Sequence, residues 1–286
     1  MRHLPGNLLR DRRGRRPSPG HRDGNAAMIV WTTQGKLNVH RAGEAGQPVV
    51  LLHPLALSGA VFDPFAAHLA AAGRTVLATD TRGHGESGWD GNPFTIEDLA
   101  DDTAAMVDTL GVGPVDVIGL SMGGSTALVF AANHPGLVRR LVVADASANY
   151  GSDRVQVWAD RADRATTFPR EEQLSFQWDR WFTSSFRATN PTEVNRVSQI
   201  FLATDSAAHA AAAHALGALD VADLLPEIAA DTLVLVGDED YATPPAMSEE
   251  IAKAVPSARL EILERARHLS LVERPDVWPL IADFLE

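Results

Sequence analysis

One serine of this chain lies in a setting typical of a nucleophile. Residues 119–123 read Gly-Leu-Ser-Met-Gly; the apolar run before them is typical of a buried strand, and the residues after them favour a helix. Such a strand–turn–helix holds the serine hydroxyl clear of the backbone, and the N-terminus of the following helix favours developing negative charge. The pattern predicts that Ser121 attacks an electrophilic carbon such as an ester carbonyl.

A serine hydroxyl needs a general base, and His268 is the histidine that fits best. It follows the last predicted strand, and it is the only histidine after His214. In sites of this type the nucleophile comes first along the chain, then an acid, then the histidine. His53 and His84 also follow strands, but both precede Ser121. We therefore predict that His268 is the base.

A carboxylate should orient the imidazole and stabilise its charged form. Asp238, Glu239 and Asp240 directly follow the predicted strand 233–236, and Asp145 ends an earlier strand. Spacing alone leaves these four acids open.

The tetrahedral oxyanion needs two backbone N–H donors. The residue after the nucleophile, Met122, supplies one, and the loop after the third strand supplies the other. Pro54 in that loop has no N–H, so Leu55 is the better candidate.

Short apolar runs alternate with helical segments from residue 28 onward and would position these groups. The predicted strands are 29–33 and 37–41, which form a hairpin, then 49–52, 75–79, 115–120, 141–144, 233–236 and 259–263. The predicted helices are 63–72, 95–110, 123–133, 244–255 and 275–285. Thr95 and Asp98 resemble a capping box. The alternation predicts an α/β fold with a mostly parallel, doubly wound sheet whose apolar strands are buried on both faces.

Residues 147–222 interrupt the alternation. They contain no convincing buried strand, yet they hold nine of the eighteen aromatic residues. We predict a helical lid over a core formed by residues 28–146 and 223–286. Ligand clefts often lie between such parts, so Trp158 and Trp181 are predicted walls of a substrate pocket, although packing inside the lid explains them equally well.

Composition limits the function further. The chain has 286 residues, a net charge of −12 and no cysteine, which excludes disulfides, thiolate ligands and a cysteine nucleophile. No apolar run has the roughly 18 residues of a membrane span, and the acidic balance argues against a nucleic-acid partner. We expect a cytoplasmic protein that acts on a small molecule. The sequence implies no metal or organic cofactor, and it leaves open whether the protein forms a homo-oligomer.

The first 27 residues differ from the rest. They carry seven arginines and two acids, whereas residues 28–286 carry 18 basic and 35 acidic residues, a net charge of −17. The segment is predicted to be a disordered basic extension, and Met28 is a plausible second start.

The motifs together resemble those of α/β-hydrolases, and specifically of the 3-oxoadipate enol-lactonases. The matching segments are 51–53 (Leu-Leu-His), 80–87 (Asp-Thr-Arg-Gly-His-Gly-Glu-Ser), 119–124, 180–182 (Arg-Trp-Phe), 237–245 and 268–270 (His-Leu-Ser). The resemblance implies that Asp240 is the acid of the catalytic triad. The family usually has His-Gly where this chain has His53-Pro54.

The resemblance also implies a role in aromatic compound catabolism and a small lactone that carries a carboxylate. Arginines of the predicted lid are candidates to bind that carboxylate: Arg161, Arg164, Arg180 and Arg187.

The predicted function is a serine hydrolase that cleaves a carboxylic ester or a small lactone through an acyl-enzyme, with 3-oxoadipate enol-lactone as a candidate substrate. A carboxylesterase, a perhydrolase or a carbon–carbon bond hydrolase acting on another substrate remains an alternative. A low-turnover fold that senses a ligand, and a scaffold that recruits a partner through its basic extension, are alternatives of other classes.

Overall fold

An eight-stranded sheet forms the centre of the protein; the computed structural model describes residues 25–286. The strands are β1 (Asn25–Thr32), β2 (Gly35–Ala42), β3 (Pro48–Leu52), β4 (Thr75–Thr79), β5 (Val115–Leu120), β6 (Val138–Ala144), β7 (Asp231–Gly237) and β8 (Ala258–Leu263). Their order in the sheet is β1-β2-β4-β3-β5-β6-β7-β8. β3 to β8 run parallel, and β2 pairs antiparallel with both β1 and β4. The predicted mostly parallel sheet is confirmed.

Eleven α-helices occur in the described part of the chain. They are α1 (Asp63–Ala71), α2 (Ile96–Leu110), α3 (Met122–Asn133), α4 (Arg154–Thr167), α5 (Arg170–Trp181), α6 (Ser184–Thr189), α7 (Pro191–Ala203), α8 (Ser206–Ala218), α9 (Pro245–Ala254), α10 (Ser270–Glu273) and α11 (Trp278–Phe284). None of them is long and apolar enough to cross a membrane.

The predicted basic extension, residues 1–27, lies outside the described residues except for its last three positions. These three belong to β1, where residue 25 pairs with Ala42 at the far end of β2. β1 therefore begins three residues before the predicted start of the core at residue 28.

The core lies on both faces of the sheet, since side chains of a strand alternate between faces. On β5, Val117 packs in the apolar cluster that includes Phe130 of α3, and Ile118 packs in the opposite cluster with Phe65 of α1. Every residue of β5 is buried. The central strands are thus covered on both faces. Their carboxyl ends lie side by side, and Ser121 lies at these ends.

β8 departs from this pattern. Its residues are mostly exposed or half-buried, since it is the last strand of the sheet. The prediction that all the apolar runs are buried on both faces is wrong for β8 and also for β1, where Ile29 is 43% and Trp31 is 72% exposed; both strands lie at the edges of the sheet.

The local signals at α2 are confirmed. Thr95 and Asp98 form a capping box, in which the Asp98 amide donates to the Thr95 hydroxyl at 3.2 Å and the Thr95 amide donates to the Asp98 carboxylate at 2.7 Å. Gly111 ends the helix in the left-handed conformation, which suits glycine. α2 is therefore fixed at both ends by its own sequence.

Helices α4 to α8 are inserted between β6 and β7. The chain leaves and re-enters the core at one neck, where Asn149 forms an isolated antiparallel bridge with Asp220. The side-chain amide of Asn149 donates to the Asp220 carboxylate at 2.6 Å, and the backbone amide of Val221 donates to the Ala148 carbonyl at 3.0 Å. We call residues 149–220 the lid.

Candidate active site

Ser121 occupies a strained turn between β5 and α3. Its backbone has φ 57° and ψ −118°, a region that residues other than glycine rarely adopt. A Cβ atom on Gly119 would overlap the carbonyl of Gly123, and one on Gly123 would overlap the carbonyl of Leu52. The Ser121 amide donates to the Ala144 carbonyl at 2.8 Å. Close backbone packing thus requires both glycines of the predicted elbow and holds the serine at the edge of the sheet.

His268 meets the serine side chain. Its Nε2 lies 2.8 Å from Oγ of Ser121, although 147 residues separate the two. His268 lies in the loop between β8 and α10, and both side chains are buried. The Leu269 amide donates to the Trp181 carbonyl at 3.1 Å, which ties the histidine loop to the lid. The structure therefore brings together the two residues whose pairing the sequence predicted.

Asp240 completes the chain of hydrogen bonds. Nδ1 of His268 lies 2.8 Å from Oδ2 of Asp240. The carboxylate also accepts hydrogen bonds from the amides of Ala242 (2.7 Å) and Thr243 (3.1 Å) and from the Thr243 hydroxyl (2.8 Å). Burial works to raise the pKa of Asp240, but the charge and hydrogen bond of His268, together with Thr243, hold that pKa below its usual value. An ionised Asp240 fixes the proton of the imidazole on Nδ1 and leaves Nε2 free to accept the serine proton.

The other three acids have different partners. Asp238 accepts a hydrogen bond from the Ala266 amide at 3.4 Å, and Glu239 lies 3.7 Å from the Arg267 guanidinium. Of the four acids that spacing left open, Asp240 is the one that contacts His268.

Asp145 joins the two loops that carry the acid and the histidine. It is fully buried; Oδ1 accepts from the Gly237 amide at 3.1 Å, and Oδ2 accepts from the Ser270 amide at 2.9 Å. Burial, and then the nearby charge of Asp240, raise the pKa of Asp145 well above its usual value. Asp145 acts on the site by holding these loops in register.

The predicted oxyanion donors flank the serine. Leu55 lines the same cavity as Ser121, and Met122 follows it in the chain. Among the hydrogen bonds of residues 25–286, none is donated by the amide of Leu55 or of Met122. The next residue of the loop, Ala56, has a positive φ of 60°. Both amides are thus available to an oxygen bound beside Ser121.

Pro54 takes part in fixing this loop. Its carbonyl accepts from Nδ1 of His53 at 2.8 Å and from the Leu57 amide at 3.3 Å. Nε2 of His53 in turn accepts from the Thr81 amide at 3.0 Å. His53 is therefore a buried brace of the oxyanion loop, and burial lowers its pKa.

A cavity of about 460 Å³ opens above the serine. Trp158 and Trp181 both line it, and each is only 4% exposed. Trp158 packs edge-on against Tyr150 with ring centres 5.0 Å apart, and Trp181 packs edge-on against Phe201 at 5.5 Å. The two tryptophans thus pack against other side chains of the lid and also form part of the cavity wall.

Two arginines of the cavity lack acidic partners. Arg180 is 8% exposed and has no hydrogen bond or ion pair among the described residues; burial lowers its pKa, and the charges of Tyr150 and Asp240 oppose that shift only in part. The Arg161 guanidinium lies 4.4 Å from the ring centre of Trp158; burial, and then repulsion from Arg180, lower its pKa to about 10. Arg164 lies on the exposed side of the cavity wall. Arg187 is not at the cavity, because it pairs with Asp179 at 3.2 Å on the outer surface.

Sequence reasoning missed Thr243, which contacts Asp240, and His209, which lines the cavity. Asp240 accepts from the amides two and three residues later, an Asx-type turn. The pattern Asp-x-x-Thr-Pro before α9 is the signal that could have indicated Thr243. His209 has no such local signal, since its partners come from another helix.

This fold and this edge-of-sheet site define a class, and comparison with known proteins gives the same class. The chain belongs to the α/β hydrolase family, since the family model of the alpha/beta hydrolase fold matches residues 47–275. 3-Oxoadipate enol-lactonase 2 of Acinetobacter baylyi is 31% identical over 207 residues, which are 71% of this chain and 75% of the relative. A pimeloyl-acyl-carrier-protein methyl ester esterase of Neisseria meningitidis is 30% identical over 264 residues, 85% of this chain and 78% of the relative.

A solved structure extends the likeness to three dimensions. The enol-lactonase from Burkholderia xenovorans LB400 superposes with a TM-score of 0.85 at 32% identity, covering 90% of this chain and 99% of that one. The predicted resemblance to enol-lactonases is confirmed, and the chain is a hydrolase of the α/β family.

Proposed function

We propose that this protein is a serine hydrolase that cleaves a carboxylic ester or a small lactone through an acyl-enzyme on Ser121. The observation that carries the proposal is the continuous hydrogen-bonded chain from Ser121 through His268 to Asp240, with 2.8 Å at each step. A serine hydroxyl is a weak nucleophile at neutral pH, and a base in contact with it is the usual means of activation.

The first half of the reaction forms the acyl-enzyme. Oγ of Ser121 attacks the carbonyl carbon while Nε2 of His268 takes its proton, and Asp240 stabilises the imidazolium. The amides of Leu55 and Met122 bind the oxyanion. His268 then donates the proton to the leaving oxygen, the carbon–oxygen bond breaks, and the acyl group stays on Ser121.

The second half releases the acid. His268 takes a proton from water, the resulting hydroxide attacks the acyl carbon, and Ser121 regains its proton as it leaves. With an ester, the alcohol departs in the first half. With a lactone, the alcohol oxygen remains tethered to the acyl chain, so the product is a single ring-opened hydroxy acid, or its keto form if the oxygen is enolic.

A carboxylate on the substrate is part of the proposal. The relatives named 3-oxoadipate enol-lactonases favour a lactone of this kind, and 3-oxoadipate enol-lactone is our candidate substrate. Arg180, buried without an acidic partner in the cavity wall, supports it, because a buried cation is stabilised when an anion binds beside it. Trp158 and Trp181 are the proposed walls against the rest of the substrate.

The test is a turnover screen of p-nitrophenyl esters and small lactones, each with and without a carboxylate, on the wild type and on S121A. We expect turnover by the wild type, a loss of at least about a thousandfold in S121A, and a preference for a carboxylate-bearing lactone. Full activity in S121A would contradict the mechanism. Ester turnover without any lactone turnover would remove the lactone assignment and leave the serine mechanism intact.

A further inference from the structure

His209 is a buried histidine at the substrate cavity that the hydrolytic steps do not use. It lies on α8, is 5% exposed and lines the same cavity as Ser121 and His268. The hydrogen bond recorded for its ring joins it to Arg170. Its position in the cavity wall therefore needs another explanation.

Arg170 fixes the tautomer of this ring. Its NH1 lies 2.7 Å from Nδ1 of His209, and a guanidinium has only donors, so Nδ1 must accept and carries no proton. A neutral imidazole then carries its proton on Nε2. Arg170 is itself held in place, since it donates to the Phe201 carbonyl and lies 3.7 Å from the centre of the Phe201 ring.

The ring is a neutral donor near pH 7. Burial, and then the charges of Arg170 and the neighbouring His84, lower the pKa of His209 to about 3. Nε2–H has no acceptor among residues 25–286. An N–H that opens into a ligand cavity without a protein acceptor gains a hydrogen-bond partner when the ligand supplies an oxygen.

We propose that His209 is a specificity-determining residue whose Nε2–H donates a hydrogen bond to a second, neutral oxygen of the substrate, such as a ketone carbonyl. This inference favours an oxo ester or oxo lactone over 3-oxoadipate enol-lactone itself, because both neutral oxygens of that compound belong to its lactone group. This inference rests on the proposed function only in that the acyl group of the substrate is held at Ser121. The scissile carbonyl is assigned to the amides of Leu55 and Met122, and a carboxylate is better matched by the cationic Arg180. A neutral donor fits a neutral acceptor, and the bound oxygen completes the hydrogen bonding of the ring.

The test compares p-nitrophenyl hexanoate with its 4-oxo and 5-oxo derivatives, which differ only by one carbonyl. In H209N the amide oxygen keeps an acceptor close to the Nδ1 position for Arg170, but no donor reaches the Nε2 position. H214N is the matched control, because His214 is an exposed residue of the same helix. The readout is the ratio of kcat/KM for each oxo ester to that for hexanoate.

We expect the wild type and H214N to prefer one oxo ester by about three- to tenfold, as expected for one hydrogen bond, and H209N to show a ratio near one. A wild type that does not distinguish the esters, or an H209N variant that keeps the wild-type ratio, overturns the proposal. So does a nitrogen NMR spectrum in which His209 of the wild type carries its proton on Nδ1.

A binding measurement separates this inference from the proposed function. The S121A variant is titrated with 4-oxohexanoate, 5-oxohexanoate and hexanoate, and tryptophan fluorescence reports binding. Suppose that the wild type hydrolyses no ester, that S121A binds an oxo acid more tightly than hexanoate, and that the S121A/H209N double variant does not. His209 then keeps its role and the proposed function fails. If hydrolysis depends on Ser121 but H209N changes neither the kcat/KM ratio nor the binding of the oxo acids, the proposed function stands and the role of His209 is refuted.

Discussion

Residues around the proposed triad of Ser121, His268 and Asp240 determine its geometry as much as its own members do. Asp240 contacts His268 and also accepts three hydrogen bonds from Ala242 and Thr243. Asp145 accepts from the amides of Gly237 and Ser270, one in each of the two loops that meet there. These contacts hold the acid loop and the histidine loop in place around His268.

The sequence predicted the nucleophile and the base because their positions follow from strand endings and chain order. Ser121 directly follows the buried strand β5, and His268 lies in the loop after the edge strand β8. The choice of Asp240 over its neighbours came from resemblance, because successive loop residues point in different directions that spacing does not define. Thr243 and His209 depend on contacts between distant segments, which no local pattern encodes.

Arg180→Gln tests the carboxylate site. We compare mono-p-nitrophenyl glutarate with its methyl-capped ester, and we expect the preference of the wild type for the charged ester to fall about tenfold or more, because a charge-assisted hydrogen bond is lost. R187Q is the matched control, since Arg187 pairs with Asp179 outside the cavity. An unchanged preference in R180Q would show that another group binds the carboxylate.

At the scale of elements, the elbow depends on how closely α3 approaches β3. Gly123→Ala would place a Cβ against the Leu52 carbonyl, so we expect a loss of about 2–3 kcal/mol in the free energy of unfolding and a fall in kcat as the Met122 amide moves. Alanine favours helices more than glycine does, so propensity alone predicts the opposite sign. Urea denaturation and ester turnover measure both effects.

Gly136→Ala is the matched control for that substitution. A Cβ at Gly136 meets nothing within 4 Å, and its φ is not positive. We expect a change within about 0.5 kcal/mol. Equal effects of G123A and G136A would show that the packing of α3 against β3 is not what positions the elbow.

Asp80 joins β2, β4 and the loop after β4. Its buried carboxylate accepts from the Asn38 side chain and the Glu86 amide on one oxygen, and from His40 and the Gly59 amide on the other. Burial works to raise its pKa, but these hydrogen bonds prevail and hold the pKa at about 2. A carboxyl whose pKa is depressed by folding stabilises the protein above its ordinary value near 3.8, and the contribution is lost as pH falls towards 2.

Asp80→Asn should therefore lower the free energy of unfolding by about 2 kcal/mol at pH 6, since one pKa unit corresponds to about 1.4 kcal/mol. The difference from the wild type should narrow at pH 3. D101N is the control, because Asp101 is a half-exposed partner of His134. A difference that stays constant from pH 6 to pH 3 would argue against a titrating Asp80.

At the scale of the whole molecule, the lid and the core share the site. Thr204, which directly follows α7 in the lid, donates from its hydroxyl to the Ala56 carbonyl in the oxyanion loop at 2.8 Å, and the Thr183 amide donates to Glu273 of α10 at 2.8 Å. Glu273 also accepts from the Arg267 amide, next to His268, at 2.9 Å. The lid thus braces both the oxyanion loop and the histidine loop.

The distribution of charge is compatible with the proposed anionic substrate, although the protein is acidic. Residues 28–286 carry a net charge of −17, yet the cavity wall holds Arg161 and Arg180 close to Ser121. Long-range repulsion is screened within about 8 Å at physiological salt, whereas buried guanidinium groups act at contact. Net charge therefore limits the class of macromolecular partner more than it limits the substrate.

The alternating apolar runs predicted the sheet and its flanking helices because each run satisfies a local rule of periodicity. The edge position of β8 and the arrangement of helices α4 to α8 were not predictable in the same way, since they depend on which surfaces meet after folding. The lid contributes Trp158, Arg180 and His209 to the cavity. For that reason the sequence predicted the type of reaction more fully than it predicted the substrate.

The most direct test of the central claim is intact-protein mass spectrometry after exposure to diisopropyl fluorophosphate. The account predicts one diisopropylphosphoryl adduct, formed with loss of fluoride, mapped to Ser121 by peptide digestion, absent from S121A and formed far more slowly in H268A. A folded, ester-hydrolysing wild type that carries no adduct on Ser121, or an S121A variant that is labelled as fast as the wild type, would contradict it.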